Sequence, residues 1–272
     1  MWTDPVAAHD RKERAMYDLP SYIWIFVGIG VIGIPATTSF MLYRGAIATG
    51  SSRRTATWLA AGAAYVLAGW LVVSGLLAGA GIYHAESGES TAWFGIAFAG
   101  ALGGMLLATR VPIVRRSLAA PGMLPLLTLP HTLRVVGVAF VLVMALGDLP
   151  WIFALPAGLG DIAIGLSAPF VARALVQEEG LERAVRFNVL GIVDLVVALT
   201  IGFLAGLGPF GLDVTPTTEP LAVLPLALVP TVAVPTALAL HVVSLARLRE
   251  TLRDKRMVQR ILAERSSVDI TS

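Results

Sequence analysis

Three ionisable side chains stand inside long apolar runs, where a charge is expensive and needs a reason. Asp161 lies ten residues into the run that begins at Trp151, roughly 15 Å along a helix rising about 1.5 Å per residue. Asp194 lies seven residues into the run that begins near 187, and His241 six residues before Arg247 at the end of the last run. These three belong to consecutive runs, so their helices can bring them together. His131, just ahead of the run that begins at 132, and Asn188 fall in the same half of the topology. Two carboxylates with an imidazole in low dielectric can bind and release a proton or hold a cation, as the relays of pumps and transporters do. The plainer role is structural: each Asp bonds to a hydroxyl or backbone group and pins neighbouring helices. Gly158 and Gly160 before Asp161, and Gly191 before Asp194, read as packing devices that let helices approach.

Other chemistries find little support. The absence of cysteine excludes disulfides, thiolate metal sites and thiol nucleophiles. No His-Glu-x-x-His or Gly-x-Ser-x-Gly pattern occurs. An aspartyl pair from Asp161 and Asp194 is conceivable, but the residues flanking them lack a protease pattern. The two lysines, Lys12 and Lys255, both lie outside the apolar runs, so no retinal Schiff base is available. One b-type haem held by His131 and His241 meets the minimum requirement of two histidines in one leaflet. His84 is alone on the opposite side and His9 is in the leader.

These residues need a membrane to position them. Of the 272 residues, 56% are hydrophobic and only 14% charged, with a mean hydropathy of +0.78. A soluble domain carries roughly a quarter of its residues as charges. A crossing helix needs about 20 apolar residues, and seven stretches qualify: 21–43, 56–82, 92–113, 132–149, 151–173, 187–208 and 221–246. Trp24, Trp58, Trp93 and Trp151 stand near span starts, where amphipathic rings prefer the headgroup layer. Asp148-Leu149-Pro150 joins the fourth and fifth spans so tightly that they form a helical hairpin.

Orientation follows from the basic residues. With the C-terminus inside, 17 of the 20 Lys and Arg residues, Arg134 among them, fall on the cytoplasmic side. The remaining three sit in the leader, and the opposite loops carry Glu86, Glu89, Asp148, Asp213 and Glu219 instead. A pI near 9.2 therefore reports topology rather than nucleic-acid binding. Pro121, Pro125 and Pro130 interrupt a half-apolar stretch that reads as interfacial or re-entrant. Pro225, Pro230 and Pro235 mark the seventh span as kinked or broken, with freed carbonyls that side chains, water or a neighbouring helix must meet. The charged tail with Leu248, Leu252, Val258, Ile261 and Leu262 extends the last helix or lies on headgroups.

The run from Phe153 through Gly158, Gly160 and Asp161 to Pro169 resembles an uncharacterised group of bacterial multi-pass inner-membrane proteins of about seven helices. So do the run from Asn188 through Asp194 to Ala198 and the Val-Pro-Thr segment leading to His241. The resemblance implies the membrane fold and carries no activity.

The expectation is an all-α integral membrane bundle of about seven helices, N-terminus out and C-terminus in, in a bacterial cytoplasmic membrane. It comprises a polar leader, 1–20, a transmembrane domain, 21–246, and a basic cytoplasmic tail, 247–272. The expected function is a small-solute or proton/ion-linked permease built on Asp161, Asp194 and His241, with His131 and Asn188 nearby. A non-catalytic membrane subunit docked on a partner is the alternative, with Gly62, Gly69, Gly75, Gly100, Gly103 and Gly104 as a flat interface. A b-type haem electron carrier is the second. Neither a metal nor, haem aside, a cofactor is expected. The partners implied are lipid, a small solute or proton, and a membrane protein or second copy.

Overall fold

Apolar chain satisfies its own backbone when it is helical, and the computed structural model is helical throughout, with no strand among the described residues. It describes residues 19–83, 92–177, 179–207 and 214–271. The leader up to Asp18, together with His84, Glu86, Glu89 and Asp213, lies outside them. Helix α1 (Ser21–Ala48) and α2 (Arg53–Gly79) form a hairpin, with the Ser52 hydroxyl accepting from Thr55 N–H at the start of α2. Then come α3 (Ala92–Ala108), α4 (Pro112–Leu118) and α5 (Met123–Thr128). A nine-residue 3₁₀ segment (Leu129–Gly137) leads into α6 (Val138–Ala145). Helices α7 (Trp151–Val176), α8 (Leu181–Gly202) and α9 (Val234–Thr271) complete the bundle. Six helices, counting α5 through α6 as one, are long and apolar enough to cross a membrane, or seven if the bent pair α3–α4 counts as a span.

Three expected boundaries shift. The helix of the third expected span is not straight to 113: it ends at Ala108, and the chain bends by 83° before α4, where Pro112 begins the new helix. The stretch expected as interfacial or re-entrant is helical from Met123, just after Pro121, so that Pro125 and Pro130 lie within the Met123–Ala145 run that is long and apolar enough to cross a membrane. Pro125 and Pro130 cannot donate to an α-helical ladder, yet the chain stays helical through them and tightens to 3₁₀ geometry from Leu129. The seventh span begins at Val229 rather than 221, after a short 3₁₀ turn at Glu219–Ala222. Pro225 thus precedes the helix, while Pro230 and Pro235 occupy its opening turns, so no proline breaks it near the middle. The expected hairpin is present. Gly147, at φ +91°, closes α6 while Asp148 N–H bonds back to the Val143 carbonyl. The tail continues α9 as one helix to Thr271.

Helix α7 packs most extensively on the 3₁₀ segment and next on α8, which in turn packs on α9, while α1 covers the 3₁₀ segment from the other side. The main core joins α1, α5, α6 and α7 through Ile23, Val31, Leu127, Val143 and Phe153. Helices α2 and α3 stay peripheral; α3 buries only Ala97.

The carbonyl freed by Pro235 illustrates how the bundle meets its backbone debts. Thr231, four residues earlier, has no partner N–H at 235, and its carbonyl instead accepts from Trp70 Nε1 of α2 at 2.8 Å. Its hydroxyl bonds Ser74 at 2.6 Å. Trp70→Phe keeps most of the ring but leaves this carbonyl unpaired, a loss of about 1–3 kcal/mol. The expected result is a lower unfolding midpoint for the detergent-solubilised protein; an unchanged midpoint means another group meets Thr231.

Candidate functional site

Residues three apart eclipse in a 3₁₀ helix, which turns once every three residues. Along Leu129–Gly137 this puts His131, Arg134 and Gly137 in one line, and all three are buried. That line faces α7, α8 and α9. Arg134, 3% exposed, sits eleven residues from either end of the Met123–Ala145 run. It therefore does not belong with the loop residues that orient the chain. A bare guanidinium there would be costly, and its donors are met on three sides. Its Nε donates to Asp161 Oδ1 of α7 at 2.7 Å, an oxygen also within 2.7 Å of its second terminal nitrogen. That terminal nitrogen donates to Asp194 Oδ2 of α8. The other terminal nitrogen meets His241 Nε2 of α9 at 3.1 Å.

The network continues beyond the arginine. His241 Nδ1 lies 2.9 Å from Asn188 Oδ1, and Asn188 Nδ2 donates to the Ala184 carbonyl at 2.8 Å. Donor logic assigns the ring proton of His241. Arginine only donates, so His241 Nε2 accepts; Nδ1 then carries the hydrogen and donates to Asn188 Oδ1. His241 is a neutral imidazole in this arrangement. His131 stacks on it, with ring centroids 3.7 Å apart and planes 15° from parallel, and Phe187 closes the stack edge-on to His131. Both His131 ring nitrogens are buried without a hydrogen-bond partner among the described residues, as are the hydroxyls of Thr132 and Ser244.

All five residues singled out in the sequence thus meet in one cluster: Asp161, Asp194, His241 and Asn188 by hydrogen bonds, and His131 by ring stacking. Arg134, the residue that joins them, was missed. With the fourth span started at 132, it looked like a terminal anchor. The sequence signal lay in the spacing His131-x-x-Arg134-x-x-Gly137 after Pro130, once the helix is allowed to begin at Met123.

Glycines make the room. A methyl group at Gly160 would occupy the place of the Asp194 carboxylate, one at Gly191 that of the His241 imidazole, and one at Gly137 that of Asp161 Cβ. At Gly165 it would fall 2.6 Å from Val135 N, and at Gly158 3.0 Å from the Gly137 carbonyl. Gly160 and Gly191 are therefore more than general packing devices, since the polar side chains themselves fill their space.

A cavity of about 410 Å³ reaches the cluster at Asp161. Its walls are apolar, with Phe94, Phe98, Phe140, Phe153 and Phe203 prominent, and Asp161 is the one charged residue among the described lining. A smaller cavity of about 40 Å³ between α1 and the 3₁₀ segment touches both Arg134 and Asp161. The Asp161 and Asp194 side chains each remain 15% exposed, so the cluster is open on its carboxylate side.

Nitrogen-15 NMR of histidine-labelled protein tests the proton assignment. One neutral Nδ1–H tautomer is expected, lost in His241→Gln. An Nε2–H or doubly protonated signal from His241 would reverse the bond to Arg134 and sink it.

No curated protein and no solved structure matches the chain. A family model described as a domain of unknown function, DUF8737, matches residues 91–249. That stretch contains His131, Arg134, Asp161, Asn188, Asp194 and His241, and leaves out α1, α2 and most of the α9 extension. The chain belongs to the DUF8737 family.

Proposed function

We propose that this protein is a proton-linked permease for a small solute, in which the Arg134 cluster is the switch. The observation that carries this reading is one guanidinium shared by two carboxylates, one of which, Asp161, lines an apolar cavity. With His241 neutral, Arg134 supplies one positive charge against two negative ones. A net charge held away from water is costly, so the cluster is balanced by taking up one proton or one other cation. Release of that proton frees Arg134 to redistribute its bonds between Asp161 and Asp194, which stand on adjacent helices. Movement of α7 against α8 thereby becomes linked to proton occupancy.

In this reading the chain sits in a bacterial cytoplasmic membrane with its C-terminus inside. With Arg134 moved into the bundle, sixteen Lys and Arg residues still fall on that side, against three in the leader. The protein lacks cysteine, so single cysteines at Arg260 and Gly88 can report sidedness. An impermeant maleimide added to intact cells is expected to label Gly88→Cys and not Arg260→Cys; the opposite pattern inverts the topology.

Two other readings remain in view. Among the described residues, Gly62, Gly69, Gly100, Gly103 and Gly104 have nothing within 4 Å of where a Cβ would stand. These small residues on α2 and α3 meet no described side chain, which favours a packed partner or second copy; co-purification of a stoichiometric partner distinguishes that case. The haem reading has less support. Axial imidazoles bind a haem from opposite faces, whereas the His131 and His241 rings lie against each other with no space for a macrocycle between them.

The decisive experiment is proton flux into liposomes containing the purified protein. A flux that depends on a solute gradient is expected, with at least about a hundredfold loss in Asp161→Asn/Asp194→Asn, on the scale of losing an essential proton carrier. Equal flux from the double variant and the wild type ends the permease reading.

A further inference from the structure

Arg134 engages one oxygen of Asp161, and Oδ2 accepts no hydrogen bond from any described residue. Among the described residues this carboxylate is the single charged group lining a cavity of about 410 Å³, inside the range of about 300–1,000 Å³ usual for small-molecule sites. The remaining described walls are aliphatic residues, glycines and five phenylalanines from α3, α6, α7 and the turn after α8, with Thr200, whose hydroxyl donates to the Val196 carbonyl, as the one other polar side chain. Aromatic faces attract a cation through their quadrupole while offering an apolar body a dry surface. A carboxylate bordering a cavity with such walls suits one kind of guest: an apolar body bearing one positive charge. An anion would meet the wrong field, and a strongly hydrated inorganic ion would find too few oxygens.

We infer that this cavity binds a lipophilic monocation, an ammonium on an apolar body, in exchange for the proton that otherwise balances the Arg134 cluster. This rests on the permease reading above and names its substrate class. The exchange is one for one: the protonated carboxyl of the Asp161–Asp194 pair loses H⁺ to water, and the resulting carboxylate is balanced by the entering ammonium. The charged groups around Asp161 are Arg134 from the 3₁₀ segment, bonded to it, and Asp194 from α8, held by the same guanidinium; His241 of α9 bonds Arg134, and His131 stacks on His241. Helix α1 contributes only apolar residues to this neighbourhood. With proton and cation competing for one charge position, the coupling is antiport.

Calorimetric titration of the full-length, detergent-solubilised protein with benzyltrimethylammonium tests this, with neopentylbenzene as the neutral carbon isostere. The cation is expected to bind at least about tenfold more tightly than the isostere and to release up to one proton, counted from buffers of different ionisation enthalpy. Its affinity should fall toward about tenfold per pH unit as acidity rises, the slope of one displaced proton. Asp161→Asn should weaken binding at least about tenfold and remove the pH dependence. Gly95→Leu, a site with open space at Cβ on the cavity wall, should weaken binding similarly without touching the charges. Absence of cation binding, equal affinity for the isostere, or binding independent of pH would each overturn the inference. Solute-linked proton flux without cation binding would defeat this inference alone. Cation binding with proton release but no flux would defeat the permease reading and leave the site standing.

Discussion

A guanidinium in a low-dielectric interior must have its donors met, and around Arg134 this requirement organises four stretches of chain at once. The 3₁₀ segment supplies the charge, α7 and α8 supply the carboxylates, and α9 supplies the imidazole acceptor. Removing one partner of a buried ion pair typically costs about 3–5 kcal/mol, because the survivor is left uncompensated. The rest of the bundle is arranged so that this does not happen. Asn188 holds the tautomer of His241, and the Ala184 carbonyl in turn orients Asn188. Glycines on α7, α8 and the 3₁₀ segment clear the space in which the charged atoms meet.

The helices then divide by task. Those around Arg134 are held by specific polar bonds and close backbone approach. Helices α2 and α3 present mostly lipid-like surface, with Trp58, Tyr65 and Trp93 well exposed, and α2 joins the bundle through a second polar contact. There Trp70 and Ser74 bind Thr231, where Pro230 and Pro235 disturb the opening turns of α9. Both junctions follow one rule: backbone or side-chain polarity that proline and charge introduce is met by a neighbouring helix.

Much of this was readable from residue order because membrane helices advertise themselves by length. The helical class, the Asp148 hairpin and the convergence of Asp161, Asp194 and His241 follow from apolar run lengths and depth along a helix. What escaped was governed by local geometry that hydropathy does not encode. Proline suggested a break at 121–130 and again in the last span. In the first case the chain absorbed Pro125 and Pro130 by tightening, which moved the start of the helix to Met123 and carried Arg134 from an end to the middle. In the second, Pro230 and Pro235 fell in opening turns, where few internal bonds are lost. Glycine was legible as closeness but not as the specific room for a carboxylate or an imidazole, because that depends on which side chain faces it from another helix.

Nine residues in 3₁₀ form are a long run for a geometry usually confined to three or four. Such a helix rises about 2.0 Å and turns about 120° per residue, against about 1.5 Å and 100° for an α-helix. Rewound as α-helix, Leu129–Gly137 would shorten by about 4.5 Å and rotate one end against the other by about half a turn. His131 and Arg134 would cease to eclipse, and the stack and the guanidinium would point to different neighbours. The pitch of this segment thus decides which helices the positive charge can reach.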